Sequence, residues 1–184
     1  MKNEKIKKEK NQKIKKQDNP LKDLIVYGSI ILAIILIRTF VVTPVRVNGE
    51  SMYPTLNNKE IMLLNKWEYK TNKIKRFDIV VVNTNGKKII KRVIGLPGET
   101  LKYENGILYI DGQETKEPYL KETTEDFNIK DLGYTKIPSD CYFVLGDNRD
   151  NSKDSRVIGC VKKSEIKGKT SLVILPIKKA GYRN

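Results

Sequence analysis

The run Leu101-Lys102-Tyr103-Glu104-Asn105-Gly106-Ile107-Leu108-Tyr109-Ile110 reads as two short strands closed by a two-residue turn. Apolar and polar residues alternate up to Glu104, the period of a half-buried strand. Asn-Gly is the dipeptide that best accepts the positive φ angles of a tight hairpin. Asp111-Gly112 marks the next turn. Outward from this hairpin the same signature recurs. Glu60-Ile61-Met62-Leu63-Leu64-Asn65 and Phe77-Asp78-Ile79-Val80-Val81-Val82-Asn83 are short apolar runs, the second rich in β-branched residues. Tyr142 to Leu145, Val157 to Val161 and Thr170 to Ile177 supply further strands. Residues 113–137 are polar and acidic and read as a long surface loop with one short element. No internal repeat and no amphipathic helix interrupts the pattern. The expectation for residues 43–184 is an all-β domain of antiparallel sheets.

Toward the N-terminus the character changes. Residues 1–23 carry nine lysines between Lys2 and Lys22 and no aromatic residue. Such a segment cannot bury a core and reads as a solvated tail. From Leu24 to Ile37 there is no charge, and Arg38-Thr39-Phe40-Val41-Val42 extends the apolar run. A membrane-spanning helix needs about 20 mostly apolar residues. Residues 24–42 approach that length if Arg38 snorkels to the outer interface. A cleaved signal peptide is the competing reading, but no small-x-small site follows. A buried core helix is another, but the segment is apolar all round. The favoured reading is an uncleaved anchor. The lysine excess before it then places residues 1–23 in the cytoplasm and the β-domain outside the cell membrane.

Lysine and arginine outnumber aspartate and glutamate by 36 to 22, a formal charge of +14. The cations form no aromatic-basic stripe, so nucleic acid is not the expected partner. A lipid bilayer is. Cys141 and Cys160, in a chain without histidine, are too few for a metal site, and no cofactor is expected. Both read as packing thiols in apolar runs, with a disulfide as the alternative outside the cytoplasm.

The absence of histidine also decides the chemistry. Ser51 lies in Ser51-Met52-Tyr53-Pro54-Thr55-Leu56, where Gly49 and Pro54 bend the chain and present the hydroxyl. A serine nucleophile needs a base, and a Ser-Lys pair is the variant open to this composition. Lys91 stands between Ile89-Ile90 and Val93-Ile94, with Gly95-Leu96-Pro97-Gly98 closing the strand. By alternation it shares a face with Ile89 and Val93, which would desolvate the amine and lower its pKa. Gly146-Asp147-Asn148-Arg149-Asp150-Asn151-Ser152-Lys153-Asp154-Ser155-Arg156 follows a buried strand and suits an ordered loop bracing a site. Within it Asp154 and Arg156 can pair, and Ser152 can orient a lysine amine.

Together these motifs, with Arg76-Phe77-Asp78-Ile79-Val80-Val81, resemble the boxes of the type I signal peptidases, in order behind an N-terminal anchor. The resemblance covers the chain from the anchor to the C-terminal region and is closest to the compact Gram-positive form. It implies a membrane-anchored serine endopeptidase that removes signal peptides from secretory preproteins after small-x-small motifs. It implies Ser51 as nucleophile, Lys91 as general base, Ser152 as the hydroxyl that bonds the lysine, and Asp154 with Arg156 as a supporting pair. It gives half of the oxyanion hole to the Ser51 amide. Gly49 stands where Gram-negative members carry a serine, so the backbone near Gly49 is the candidate second donor. By family position Val45, Val47, Met52, Leu56, Ile89 and Ile90 would wall the pockets for the substrate. Two rivals are a self-cleaving repressor-type protein and a tethered β-domain that only binds a ligand. The anchor, and the lack of a helical DNA-binding domain, count against the first. Loss of function on mutating Ser51 or Lys91 would exclude the second.

Overall fold

The computed structural model describes residues 19–71, 74–84, 86–121 and 123–183, and the chain divides into two compact units, 1–39 and 40–184. Helix α1 runs from Pro20 to Phe40. It begins with proline, whose missing N–H costs nothing in a first turn, and the Asp23 amide donates back to the Asn19 carbonyl at 3.1 Å. It stops before the β-branched pair Val41-Val42 and Pro44. Its apolar side chains are exposed all round, and it is long and apolar enough to cross a membrane. The helix thus starts four residues before the expected boundary and ends two residues short of it. Most of the basic tail, residues 1–18, lies outside the described residues.

The second unit is built from antiparallel strands. Those of the large sheet are β1 (Val42–Arg46), β2 (Ile61–Asn65), β3 (Ile79–Thr84) and β4 (Lys87–Gly95). Strands β5 (Leu101–Glu104), β6 (Ile107–Ile110), β7 (Gln113–Thr115) and β8 (Phe127–Asn128) form a small sheet in the order β7-β6-β5-β8. Strands β9 (Cys141–Leu145), β10 (Val161–Lys162), β11 (Ile166–Leu175) and β12 (Gly181–Tyr182) complete the large one. Its order is β1-β2-β11-β3-β4-β9-β10, with β12 also on β11. Asn105 and Gly106 adopt φ of 54° and 76°, the hairpin conformation expected from their sequence.

Alternation sorts the core. Ile79 and Val81 face Val47, Met52, Leu56, Met62 and Ile90, while Val80 and Val82 face Val93, Tyr142 and Val144. A strand apolar at each position from Ile79 to Val82 is thereby buried on both sides. Cys141, Phe143 and Leu145, on the other face of β9, join Leu101, Tyr103, Leu108 and Ile110 of the small sheet. Both cysteines are free thiols, Cys141 buried and Cys160 partly so.

Three expectations change. Residues 113–137 are not a plain surface loop. Phe127 pairs with Tyr103 in the small sheet, and Ile129 and Ile137 are buried with its core. Val157–Val161 is not a strand. Asp154 caps a single helical turn, α3 (Ser155–Ile158), and only Val161 enters β10. A local cap here outweighs the β preference of Val157 and Ile158. A short helix, α2 (Lys66–Thr71), also follows β2, where no helix was expected.

Candidate active site

Ser51 sits in a loop that its neighbours hold rigidly. Met52 and Leu56 are pinned in the core, at 1% and 0% exposure. The Val47 amide donates to the Glu60 carbonyl at 2.8 Å, and the Lys59 amide donates to the Val47 carbonyl at 2.9 Å. Buried Glu60 accepts the amide of Asn57 at 3.0 Å and its side-chain Nδ2 at 2.9 Å. Gly49 takes φ of +90°, where a side chain would be strained. Its amide donates to Asn58 Oδ1 at 3.2 Å, and so is already engaged.

Lys91 lies on β4, in register with Val80 of β3, and only 2% of it is exposed. Its Nζ donates to Ser51 Oγ at 2.6 Å, across forty residues of sequence. Burial lowers the pKa of the amine from 10.5 to about 8, against the pull of Asp154 and Asp147 and with the help of Arg156.

The loop after β9 encloses this pair. The Asn148 amide donates to the Ser51 carbonyl at 3.1 Å, and Asn148 Nδ2 donates to the Glu50 carbonyl at 3.2 Å. Gly146 packs so closely on the Ser51 carbonyl and on Ser152 that no Cβ would fit there. Fully buried Asp154 accepts the Gly146 amide at 3.0 Å, and Arg156 through Nε and Nη2, each at 3.0 Å. Burial alone would raise its carboxyl pKa. The bonds from Arg156 and Gly146 outweigh that and hold it below the carboxylate range. The Ser155 hydroxyl accepts the Val144 amide at 2.9 Å and fixes the loop to β9. Ser152 Oγ is buried beside Gly146 and close to the Asp154 carboxyl, whose pKa it helps to lower, and the bond from Lys91 goes to Ser51 instead.

Two buried ion pairs were not anticipated from sequence. Arg92 grips Asp147 through Nε at 2.9 Å and Nη2 at 2.7 Å, and its guanidinium lies 3.8 Å from the Tyr119 ring centroid. Arg149 reaches Glu117 at 2.6 Å from inside the same loop. Neither has a local signature, because the partners are 55 and 32 residues apart.

A cavity of about 220 Å³ opens at Ser51. Val45, Val47, Met52 and Ile90 line it, with Gly49, Pro44, Arg46, Asn48 and Lys88. Two of the six expected wall residues do not. Leu56 is wholly buried beneath the loop, and Ile89 packs on the opposite face of β4, toward Val80 and Val82. The cavity runs between two open strand edges. One is β1, the last strand of its sheet. The other is the first half of β4, because β9 pairs with β4 only from Arg92 onward.

A buried amine against a serine hydroxyl, beside an unpaired strand edge, is suited to attack on an extended peptide. The comparisons identify a peptidase family. The family described as "Signal peptidase, peptidase S26" matches residues 21–175. Signal peptidase I P of Bacillus subtilis subsp. natto is 44% identical over 156 residues, covering 80% of this chain and 84% of that protein. Signal peptidase I of Bacillus caldolyticus is 41% identical over 158 residues, covering 80% and 87%. A crystal structure of a signal peptidase I from Enterococcus faecalis V583 superposes with a TM-score of 0.51 at 40% identity. It covers 53% of this chain and 97% of its own.

Proposed function

This chain belongs to the signal peptidase family, peptidase S26, and we propose that it cuts secretory preproteins with Ser51 as nucleophile and neutral Lys91 as general base. It is a serine peptidase, and the finer assignment rests on one observation. The Ser51 hydroxyl is 2.6 Å from an amine whose pKa burial has lowered to about 8.

In the neutral form of Lys91 the hydrogen bond reverses, and Ser51 Oγ–H donates to Nζ. Oγ attacks the carbonyl before the scissile bond while its proton passes to Nζ. The Ser51 amide, which has no partner among the described residues, stabilises the oxyanion. The amide of Gly49 is engaged by Asn58 and is not the second donor in this arrangement. The ammonium of Lys91 then protonates the leaving amine, and an ester to Ser51 remains. Lys91, neutral again, takes a proton from the water that hydrolyses the ester. Asp154 and Arg156 hold the loop that carries Ser152, and Arg92 with Asp147 holds that loop to β4.

The preprotein lies extended in the cavity, hydrogen-bonded to the open edges of β1 and β4 by β-augmentation. The aliphatic walls Val45, Val47, Met52 and Ile90 leave room for alanine-sized side chains, which supports cleavage after small-x-small motifs. Residues 24–42 anchor the enzyme in the cell membrane, residues 1–23 are cytoplasmic, and residues 43–184 form the extracytoplasmic catalytic domain. The positive charge is thereby assigned to topology and not to nucleic acid.

The test is to incubate the full chain in detergent with a preprotein and sequence the new N-terminus. Cleavage after a small-x-small motif by the wild type, and none by Ser51→Ala or Lys91→Arg, is the expected result. Cleavage by either variant would refute the pair.

A further inference from the structure

The charged residues lining the cavity, Arg46 and Lys88, are both cationic, and no acidic side chain lines it among the described residues. Both are exposed, and neither has an ion-pair partner among the described residues. Lys88 lies two residues before Ile90 on β4, so alternation puts it on the face where Ile90 walls the cavity. Arg46 stands on the opposite bank, in β1. A cleft lined by one sign of charge with apolar walls concentrates its field on whatever enters it.

We infer that Lys88 and Arg46 give the enzyme a charge preference upstream of the cut, favouring an acidic side chain about four residues before the scissile bond and disfavouring a basic one. The inference rests on the reading of this cavity as the binding cleft for residues before the cut. Lys88 is three residues from Lys91 along the strand, a rise of roughly 10 Å. An extended substrate advances at the same rate, so the Lys88 backbone lies opposite the third or fourth residue before the cut. The wall residues claim the first and third positions for small side chains. The fourth points out of the cavity, away from the face of Ile90 and Lys88, where the long, exposed side chains of Lys88 and Arg46 can turn up at the rim to reach it.

The size of the effect follows from exposure. Each solvent-exposed pair is weak, but replacing an acidic substrate residue by a basic one turns two attractions into two repulsions, which amounts to about tenfold in kcat/KM at low salt. The difference should shrink as salt is raised, because the Debye length falls from roughly 30 Å at 0.01 M to about 10 Å at 0.1 M.

Three peptides identical except for Asp, Ala or Lys at the fourth position before the cut provide the test. Wild-type enzyme, Lys88→Gln, the double variant Lys88→Gln/Arg46→Gln and the double variant Lys88→Glu/Arg46→Glu are compared by kcat/KM at low and high salt. The expected order for the wild type is Asp over Ala over Lys, carried mainly by KM. The preference should weaken in the single variant, approach unity in the neutral double variant and invert in the acidic one. Equal rates for the Asp and Lys peptides with wild type, or an undiminished preference in the neutral double variant, would overturn the inference. The Ala peptide separates the two levels. If the wild type cuts it and Ser51→Ala does not, the cleft reading stands whatever the charge result. If the wild type leaves it intact, both fall.

Discussion

Burial holds the Lys91 amine at a pKa of about 8 instead of 10.5, and this bears on both rate and stability. In the proposed mechanism the reactive form is the neutral amine, so kcat/KM should rise about tenfold per pH unit below that pKa and level off above it. A pH–rate profile checks this, and a flat profile would exclude Lys91 as the base. Lys91→Arg should be inactive across the range, because a guanidinium does not deprotonate in a protein. The stability effect has a definite sign. The folded pKa is below the unfolded one, so the folded state resists the proton that the unfolded chain accepts. Below about pH 8 both states are protonated and the native state bears the whole cost, on the order of 3 kcal/mol. That cost fades between about pH 8 and 10.5 and is absent above. Lys91→Met should therefore be more stable than wild type near pH 7, with the difference closing by about pH 10. Urea midpoints at the two pH values measure it, and a variant equally destabilised at both would contradict the linkage. Ser51 and Lys91 were legible in the sequence because a chain without histidine leaves few bases for a serine. Arg92, Asp147, Glu60 and Glu117 were not, because a buried ion pair or cap is set by strands that meet only in the folded chain.

At the level of elements, the loop of residues 146–156 is the part on which the site depends most. Gly146 has no space for a methyl group against the Ser51 carbonyl and Ser152. Gly146→Ala must displace the Ser51 backbone, and kcat should fall about a hundredfold while the fold survives. Single-turnover cleavage together with circular dichroism would test this, and near-normal kcat would show that the loop yields. Asp147→Ala would leave Arg92 charged and unpaired at 0% exposure, which should cost about 3 to 5 kcal/mol. Replacing both partners by apolar residues, Arg92→Met with Asp147→Leu, should restore most of that stability, as urea denaturation would show. Elements governed by neighbouring residues were the readable ones. Asn105-Gly106 fixes its hairpin wherever the strands go. Val157 and Ile158 were misread because Asp154 closes a helical turn over them, its side chain accepting the Arg156 amide and its carbonyl the amides of Val157 and Ile158. The segment 113–137 was misread because its apolar residues, Leu120, Phe127, Ile129, Leu132 and Ile137 among them, follow neither a strand nor a helix period.

For the whole molecule, composition shows the division between tail, apolar helix and β-domain, but not the order of the strands. β11 lies between β2 and β3 although about a hundred residues separate β2 from it, and no local pattern encodes such pairing. The topology makes its own prediction. On cells stripped of their wall, added protease should reach residues 43–184 and spare the tail, and digestion of the tail alone would reverse the orientation. The two open edges along the cavity also bear on turnover. In the proposed binding mode they hold backbone, and the backbone of the amino-side fragment is unchanged when the peptide bond breaks. That fragment keeps nearly every contact the intact substrate had, while the mature chain retains few. Departure of the shorter product should therefore be slow, and the enzyme should be inhibited competitively by its own spent leader. Progress curves that bend early, and straighten when a second protease destroys the fragment, would be the kinetic sign of a groove that cannot tell what it has already cut.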